Sequence, residues 1–308
     1  MRKLFVVVGM IGCLGLNTFA QIRKADNSAD IHFAIPIPKR LMHNYTVANN
    51  SGKPTAIFRD QAILKLPKSY TKGGKPTRLI YCAHGAGGGV TAKNWFINNF
   101  AIVDSLLSHG YAIFDVNGGE SMENMGGPLV IYSAFQAYKT IRKNYNIEPK
   151  IFVVGLSMGG LSSSNFCLQH PAIVSAQGLF SAVLDLKGQA WDHPWFPTTP
   201  KVISTVFDFT DKSGKTWEPA KVKGWNPLYA NSRIRGKDTL LHYPVPVAIW
   251  HGNGDPVVPI SASRTFQRYI QNGGGTCVLN EINSSDHGLS CGNPFMNQGL
   301  VTFFDRIK

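Results

Sequence analysis

The pentapeptide at residues 155–159 has the pattern Gly-x-Ser-x-Gly, which places a serine hydroxyl where it can act as a nucleophile. It follows four apolar, mostly β-branched residues at 151–154, which predict a buried parallel strand, and it precedes a helix-like segment from about residue 161 to 170. The flanking glycines let strand and helix pass closely, so the turn lifts Ser157 above the sheet edge. The arrangement predicts acyl transfer, with the backbone N–H of Met158 binding the oxyanion.

Two later stretches contain the partners that a serine nucleophile needs. Asp255 follows an apolar run at 245–250, and His287 follows a predicted strand at 276–282. We interpret His287 as the base that takes the proton from Ser157, and Asp255 as the acid that orients His287. Asp185, after the preceding strand, is the competing acid. The order of the three residues in the chain favours Asp255, which is nearer to His287.

A glycine-rich loop at 84–89 follows the predicted strand that ends at Ala83. Bare backbone can approach a substrate carbonyl closely there, so we predict the N–H of Ala86 as the second oxyanion donor. A flexible turn is the alternative. A phosphate-binding loop is disfavoured because no Gly-Lys-Ser/Thr follows. His84 and His251 are interpreted as residues that pack these loops.

Predicted strands and helices alternate along the chain, which favours a mostly parallel sheet covered by helices on both faces. The expected fold class is therefore α/β, in one domain over 21–308. The segment 21–51 is expected to wrap the outside of the domain. The segment 187–243 breaks the alternation and is rich in Trp, Pro and Lys, so we interpret it as a cap inserted between two strands. Strands are predicted at 56–66, 78–83, 111–116, 151–154, within 173–184, at 245–250 and at 276–282, and helices at 95–109, 129–145, 261–271 and 297–307.

Composition narrows the class of protein. The 308 residues contain 16% charged residues and 44% hydrophobic residues, which is typical of a folded domain and argues against disorder. The formal net charge of +13 is spread without a dense basic run, and no nucleic-acid-binding motif occurs. The predicted chemistry uses no metal and no cofactor. The sequence does not indicate an oligomeric state.

Residues 1–20 have the layout of a secretory signal peptide. Arg2 and Lys3 precede an apolar run from Leu4 to Leu16, and cleavage is predicted after Ala20. The protein is therefore expected to be secreted or periplasmic, with no stable membrane span after cleavage. The alternatives are an N-terminal anchor and a lipoprotein modified at Cys13.

Four cysteines follow the predicted cleavage site. Cys82 and Cys167 fall in predicted core elements, so we expect them to be buried thiols. Cys277 and Cys291 bracket His287 and are compatible with either a disulfide bridge or two free thiols. Their spacing fits no zinc site.

The chain resembles the α/β-hydrolases of the esterase, dienelactone-hydrolase and prolyl-oligopeptidase type. The resemblance rests on four stretches, at 84–87, 155–159, 254–259 and 286–288, and covers about residues 55–308. It implies the α/β-hydrolase fold, with Ser157 as nucleophile, His287 as base, Asp255 as acid, and Ala86 and Met158 as oxyanion donors. The insertion at 187–243 matches no pattern of that group.

The substrate predicted from these residues is a carboxylic ester, either an acetyl or feruloyl ester of a polysaccharide or another small acyl ester. Flat aromatic side chains pack against sugars and aryl groups, so Trp191 and Trp195 are predicted to bind substrate, with the core of the cap as their alternative role. A serine exopeptidase is the second hypothesis, in which Glu120 or Glu123 would bind the free amine of a peptide. A non-catalytic binding protein is the third, and it would require a broken triad.

Overall fold

The computed structural model describes residues 30–41, 59–90, 101–119, 124–192, 197–287 and 294–307. Within these ranges the chain forms ten strands and six α-helices. The strands are β1 (Ile31–Pro36), β2 (Arg59–Lys65), β3 (Thr77–Ala83), β4 (Ala112–Val116), β5 (Ile147–Leu156), β6 (Val174–Phe180), β7 (Ser232–Arg235), β8 (Asp238–Leu241), β9 (Val247–Gly252) and β10 (Cys277–Ile282). The helices are α1 (Ala101–Ser108), α2 (Pro128–Asn144), α3 (Gly159–Gln169), α4 (Thr199–Val206), α5 (Ser261–Asn272) and α6 (Pro294–Asp305).

Eight strands form one sheet in the order β1-β2-β4-β3-β5-β6-β9-β10. The β1–β2 and β2–β4 pairs are antiparallel, and all other pairs in this sheet are parallel. The carboxyl ends of β5, β6, β9 and β10 therefore meet at one edge, where ligands of open α/β sheets bind. The predicted, mostly parallel α/β sheet is confirmed.

The central strands are apolar at nearly every position because both faces of the sheet are buried. Tyr81 and Val153 point to one core, which α2, α3 and α5 cover. Their chain neighbours Ile80 and Phe152 point to the other core, which α1 and α6 cover. Successive side chains of a strand point to opposite faces, so a strand covered on both sides must be apolar at nearly every position.

Two elements differ from the sequence predictions. Residues 31–36, expected to wrap the domain, instead form the edge strand β1. The strand predicted at 56–66 corresponds to β2, which is second from the edge. Ile31, Phe33 and Ile35 are less exposed than the residues between them, a period of two that is visible in the sequence. The strand before Ser157 is also longer than the predicted strand at 151–154, since β5 begins at Ile147. Ile147 pairs with Thr77 of β3, and the register shifts between this pair and the next one, Leu79 with Ile151.

The insertion lies between β6 and β9 and contains α4 and a two-stranded β7–β8 hairpin. Its apolar residues Ala190, Ile203 and Phe209 form one buried cluster with Met158 and Leu161. The insertion therefore packs over the sheet edge that carries Ser157. Its boundaries as a separate cap stay a prediction.

In the part of the chain that the structure describes, no helix is long and apolar enough to cross a membrane. The same residues contain no group of three or more His, Cys, Asp or Glu side chains arranged to hold a metal ion.

The described cysteines, Cys82, Cys167 and Cys277, are buried and form no disulfide. The free thiol of Cys277 fits the unbridged alternative, while Cys291 lies outside the described residues. Burial raises the pKa of the Cys167 and Cys277 thiols to about 12. Because the thiolate is the reactive form, a disulfide reagent is expected to leave all three unlabelled in the folded protein and to label them in urea. Peptide mapping of the labelled positions checks this, and fast labelling of native Cys277 would contradict it.

Candidate active site

The turn at Ser157 has the strained backbone that the Gly-x-Ser-x-Gly pattern predicts. Ser157 has φ of +53°, in the left-handed region that few residues other than glycine adopt. Its N–H donates to the carbonyl of Phe180 at 3.0 Å, and its carbonyl accepts the N–H groups of Gly160 at 2.8 Å and Val183 at 2.9 Å. These hydrogen bonds, which tie the turn to β6, to α3 and to the segment after β6, hold the strained residue in place.

The structure brings Ser157, His287 and Asp255 into one hydrogen-bonded line. His287 Nε2 lies 2.9 Å from Ser157 Oγ, and His287 Nδ1 lies 2.7 Å from Asp255 Oδ2. A carboxylate can only accept, so Nδ1 carries the proton and Nε2 accepts the serine hydroxyl. This geometry leaves Nε2 unprotonated and hydrogen-bonded to the nucleophile, where it can accept the proton.

Asp255 is held as a carboxylate by its surroundings. Its second oxygen, Oδ1, accepts the N–H groups of Val257 at 2.9 Å and Val258 at 3.0 Å. Burial raises its pKa, but hydrogen bonds from His251 and His287, the charge of His287 and the Val258 N–H together bring the pKa below its usual value. Asp255 therefore stays ionised at neutral pH and can stabilise a protonated His287.

His251 packs the Asp255 loop, as predicted. Its Nε2 lies 2.8 Å from the Val258 carbonyl, so Nε2 carries the proton, and its Nδ1 lies 2.8 Å from Ser263 Oγ, whose hydroxyl donates.

The competing acid Asp185 binds groups of the insertion instead of a histidine. Its Oδ1 accepts the backbone N–H of Lys187 at 3.1 Å and the side-chain amide of Asn226 at 2.9 Å. These contacts hold the start of the insertion against a later segment of it. The structure places Asp255, not Asp185, on His287.

The two predicted oxyanion donors, Ala86 and Met158, line one pocket together with Ser157. Residues 85–88 form a turn in which the Gly88 N–H donates to the Gly85 carbonyl at 3.1 Å. A Cβ on Gly85 would come within 3.3 Å of the Ser157 Cβ, so the loop packs directly against the nucleophile. Among the described residues, neither N–H donates to another backbone group, which is compatible with their predicted role.

A buried ion pair lies beneath this loop. His84 Nδ1 lies 2.8 Å from Asp115 Oδ2, and Asp115 Oδ1 accepts the Val116 N–H at 2.8 Å. Burial lowers the pKa of His84, but the charge and hydrogen bond of Asp115 raise it by more, so the pKa lies above its usual value. His84 is the first residue of the loop, and the pair anchors that loop to β4.

Replacing Asp115 with alanine is expected to destabilise the protein by about 3–5 kcal/mol, because it leaves the buried His84 without its partner. Asp115→Asn is the matched control: its amide oxygen can still accept from His84, so the loss should be smaller. Urea unfolding followed by tryptophan fluorescence measures both. Equal losses in the two variants would contradict this role of the pair.

The pocket beside Ser157 is narrow and mainly apolar. Met125, Leu161 and Val183 line it from the sheet domain, together with Leu186 just before the insertion and Ile203 within the insertion. Its volume of about 30 Å³ is room for roughly two water molecules, at about 10–15 Å³ each. No sequence signal marks these walls, because apolar residues of the insertion resemble any core residue.

Of the predicted substrate-binding residues the structure describes only Trp191, and Trp191 does not line this pocket. Trp191 packs against Phe209 and Trp217, with ring centroids 6.3 Å and 5.0 Å away, and belongs to the core of the insertion, as its alternative interpretation expected. Trp195, Glu120 and Glu123 lie outside the described residues, so their roles stay predictions. Asp115 was missed, although a charged residue inside the apolar run 112–116 was a visible signal.

Comparison with known proteins supports this fold. The "Esterase" family model, described as "Putative esterase", matches residues 135–225, which include Ser157 but neither Asp255 nor His287. No curated protein matches significantly.

Among solved structures, an acylaminoacyl peptidase of Pyrococcus horikoshii is similar, with a TM-score of 0.64 and 16% identity over 91% of this chain and 42% of that chain. A truncated carbohydrate esterase from gut microbiota gives a TM-score of 0.60 and 21% identity over 79% of this chain and 89% of that chain. A puromycin-hydrolyzing peptidase of Mycobacterium tuberculosis gives 0.58 and 16% identity over 83% of this chain and 35% of that chain. The chain thus spans less than half of the two peptidases.

Proposed function

Since the chain has the α/β-hydrolase fold, we propose that it is a serine hydrolase that cleaves carboxylic esters through an acyl-enzyme on Ser157. One observation carries this proposal: the hydrogen-bonded line from Asp255 through His287 ends at Ser157, and Ser157 lines one pocket together with Ala86 and Met158. A nucleophile, its base, the acid that orients the base and two oxyanion donors are the groups that acyl transfer needs.

The geometry suggests how each group acts. Ser157 Oγ attacks the ester carbonyl carbon while His287 Nε2 takes the hydroxyl proton. The carbonyl oxygen becomes an oxyanion and is bound by the Ala86 and Met158 N–H groups, and Asp255 stabilises the charged His287. His287 then gives its proton to the leaving alcohol, which departs and leaves the acyl group on Ser157. Water, activated by the same histidine, repeats these steps and releases the acid.

A small acyl group fits the site better than a large one. The pocket beside Ser157 is narrow, with a volume of about 30 Å³, which favours a small acyl group such as acetyl over a bulky feruloyl group. Of the two ester classes considered, we therefore favour acetyl esters. The carbohydrate esterase neighbour, which this chain matches over 89% of its length, supports a carbohydrate alcohol.

Hydrolysis of short peptides is the second candidate, and the similarity to an acylaminoacyl peptidase favours it. A peptidase would use the same Ser157, His287 and Asp255. It would also need a group that binds the peptide's amine, for which Glu120 and Glu123 remain the candidates. A non-catalytic binding protein accounts poorly for a triad with complete hydrogen bonds.

We also propose that the protein acts outside the cytoplasm, because residues 1–20 have the layout of a signal peptide. Lipid attachment at Cys13 is the less favoured form of this proposal. A polysaccharide ester would be accessible to the protein in that location.

A substrate panel tests the proposed function. Wild-type protein is expected to hydrolyse nitrophenyl acetate faster than longer nitrophenyl esters and to leave aminoacyl nitroanilides intact. A fluorophosphonate should stop this activity, and mass spectrometry should locate the adduct on Ser157. Hydrolysis of nitroanilides in preference to acetate esters would support the peptidase instead, and an adduct elsewhere would remove Ser157 from its role.

A further inference from the structure

A larger cavity adjoins the narrow pocket beside Ser157. It has a volume of about 330 Å³ and shares Val183, Gln189 and Val258 with that pocket. Val183 donates its N–H to the Ser157 carbonyl, so one of the residues that line both spaces contacts the nucleophilic residue directly. Volumes of about 300–1,000 Å³ are typical of ligand-binding pockets. A group attached to an ester at Ser157 therefore has this cavity as its neighbour.

A second cavity of about 400 Å³ adjoins the first one. Tyr229 lines both cavities, and Trp217 lines the outer one. Tyr229 is 51% exposed, which makes it one of the few large apolar residues exposed in the described part of the chain. The two cavities share the exposed Tyr229 side chain, and we refer to them together as the groove.

The polar lining of the groove is mixed in charge. Asp185 and Asp192 line the inner cavity with Arg268, and Lys187 and Lys223 line the outer cavity. Lys187 Nζ lies 3.6 Å from Asp192 Oδ1. The carboxylates accept hydrogen bonds and the neighbouring cations donate them, and the two signs of charge offset each other. This pattern suits a neutral ligand rich in hydroxyl groups, because such a ligand offers both donors and acceptors.

A π-helical turn at Gly188–Asp192 connects this groove to the triad. The turn carries Gln189 and Asp192 into the inner cavity, and Gln189 Nε2 donates to the Val257 carbonyl at 3.0 Å. The N–H of Val257 in turn donates to Asp255. π-Helical turns are rare and occur often at functional sites.

We propose that this groove, defined by Asp185, Gln189, Asp192, Trp217, Tyr229 and Arg268, binds an oligosaccharide that carries the ester, with a sugar ring packed on Tyr229. The inference rests on the proposed function, since it assigns the alcohol part of the substrate to this groove. A peptide amine fits less well, because Arg268 lines the same cavity as Asp185 and Asp192 and would repel the amine, and Lys187 already lies near Asp192. The exposed ring of Tyr229 offers a flat apolar face to a sugar ring.

The test compares two acetate esters that differ only in the alcohol: an acetylated tetrasaccharide and nitrophenyl acetate. The measured quantity is the ratio of their kcat/KM values. Tyr229→Ala is expected to lower this ratio about tenfold, which corresponds to about 1.4 kcal/mol. Ile234→Ala is the matched control, because Ile234 is 82% exposed on the hairpin of the same insertion and lies outside the groove; it should keep the wild-type ratio. Asp192→Asn, at an exposed residue, serves as a second variant and should also lower the ratio.

Direct binding separates this inference from the proposed function. Unacetylated tetrasaccharides of xylose, glucose or mannose are titrated into the Ser157→Ala protein by calorimetry, a readout that needs no hydrolysis. Binding that Tyr229→Ala weakens and Ile234→Ala preserves supports the groove. If wild-type protein hydrolyses nitrophenyl acetate but binds none of the sugars at millimolar concentration, or binds a short peptide amide instead, the groove assignment is wrong and the esterase proposal stands. If no ester is hydrolysed, the esterase proposal is wrong.

Discussion

Replacing Ser157 or His287 with alanine is expected to lower kcat for nitrophenyl acetate by about 10⁶-fold, and the double variant should lose no more than either single one. The reason is the 2.9 Å hydrogen bond between Ser157 Oγ and His287 Nε2, which makes the two groups act as one unit. Without the base the hydroxyl is a poor nucleophile, and without the hydroxyl the base has nothing to activate. Initial rates with concentrated enzyme measure the remaining activity.

The acid of the triad gives a graded result in the same assay. Asp255→Asn should cost about 10⁴-fold, because an amide in that position favours the wrong tautomer of His287. Asp238→Asn, at an exposed residue of the β7–β8 hairpin, is the control and should be unchanged. Near-normal activity of His287→Ala or Asp255→Asn would remove these residues from the mechanism.

The second large effect is expected at Gly159, where α3 begins. A Cβ there would overlap the Ala83 carbonyl oxygen and would lie 2.7 Å from both the Ala83 carbonyl carbon and the His84 carbonyl oxygen. These are backbone atoms of β3 and of the glycine-rich loop at 84–89. The clash therefore cannot be relieved by moving a side chain. Gly159→Ala should therefore destabilise the protein by more than about 4 kcal/mol, within the range of the most damaging single substitutions.

A matched glycine separates this clash from the general effect of adding a methyl group. A Cβ on Gly73 would meet no atom within 4 Å, so Gly73→Ala should leave stability almost unchanged. Thermal unfolding followed by circular dichroism compares the two variants. A Gly159→Ala protein that melts like Gly73→Ala would show that strand and helix can separate at the turn.

The site was predictable from the sequence because each predicted residue follows a strand closely. Ser157 follows β5, Asp255 follows β9 and His287 follows β10, and parallel strands bring their carboxyl ends to one edge. Glycines at fixed offsets marked the turns. The competing Asp185 also follows a strand. The sequence favoured Asp255 because it is nearer to His287, and the structure places Asp255 on His287.

The walls of the site could not be predicted in the same way. Ile203 and Leu186 reach the pocket through the packing of the insertion, and no local pattern separates an apolar pocket wall from an apolar core. The role of Trp191 could not be predicted for the same reason, because an aromatic residue in a loop can either pack in the core or contact a ligand. Edge strand β1 was missed because its alternation is short and includes Pro36.

The hydrogen bond between Ser157 and His287 joins residues 130 positions apart. Closing so long a loop is slow, because chain entropy is lost before the contact forms. During synthesis the turn at Ser157 emerges well before His287. A nascent or truncated chain that ends before β10 therefore contains the serine without its proton acceptor. The protein can therefore hydrolyse substrate only after β10 has been added to the sheet. Recovery of activity after denaturation measures the completion of the sheet, not the early formation of its central strands.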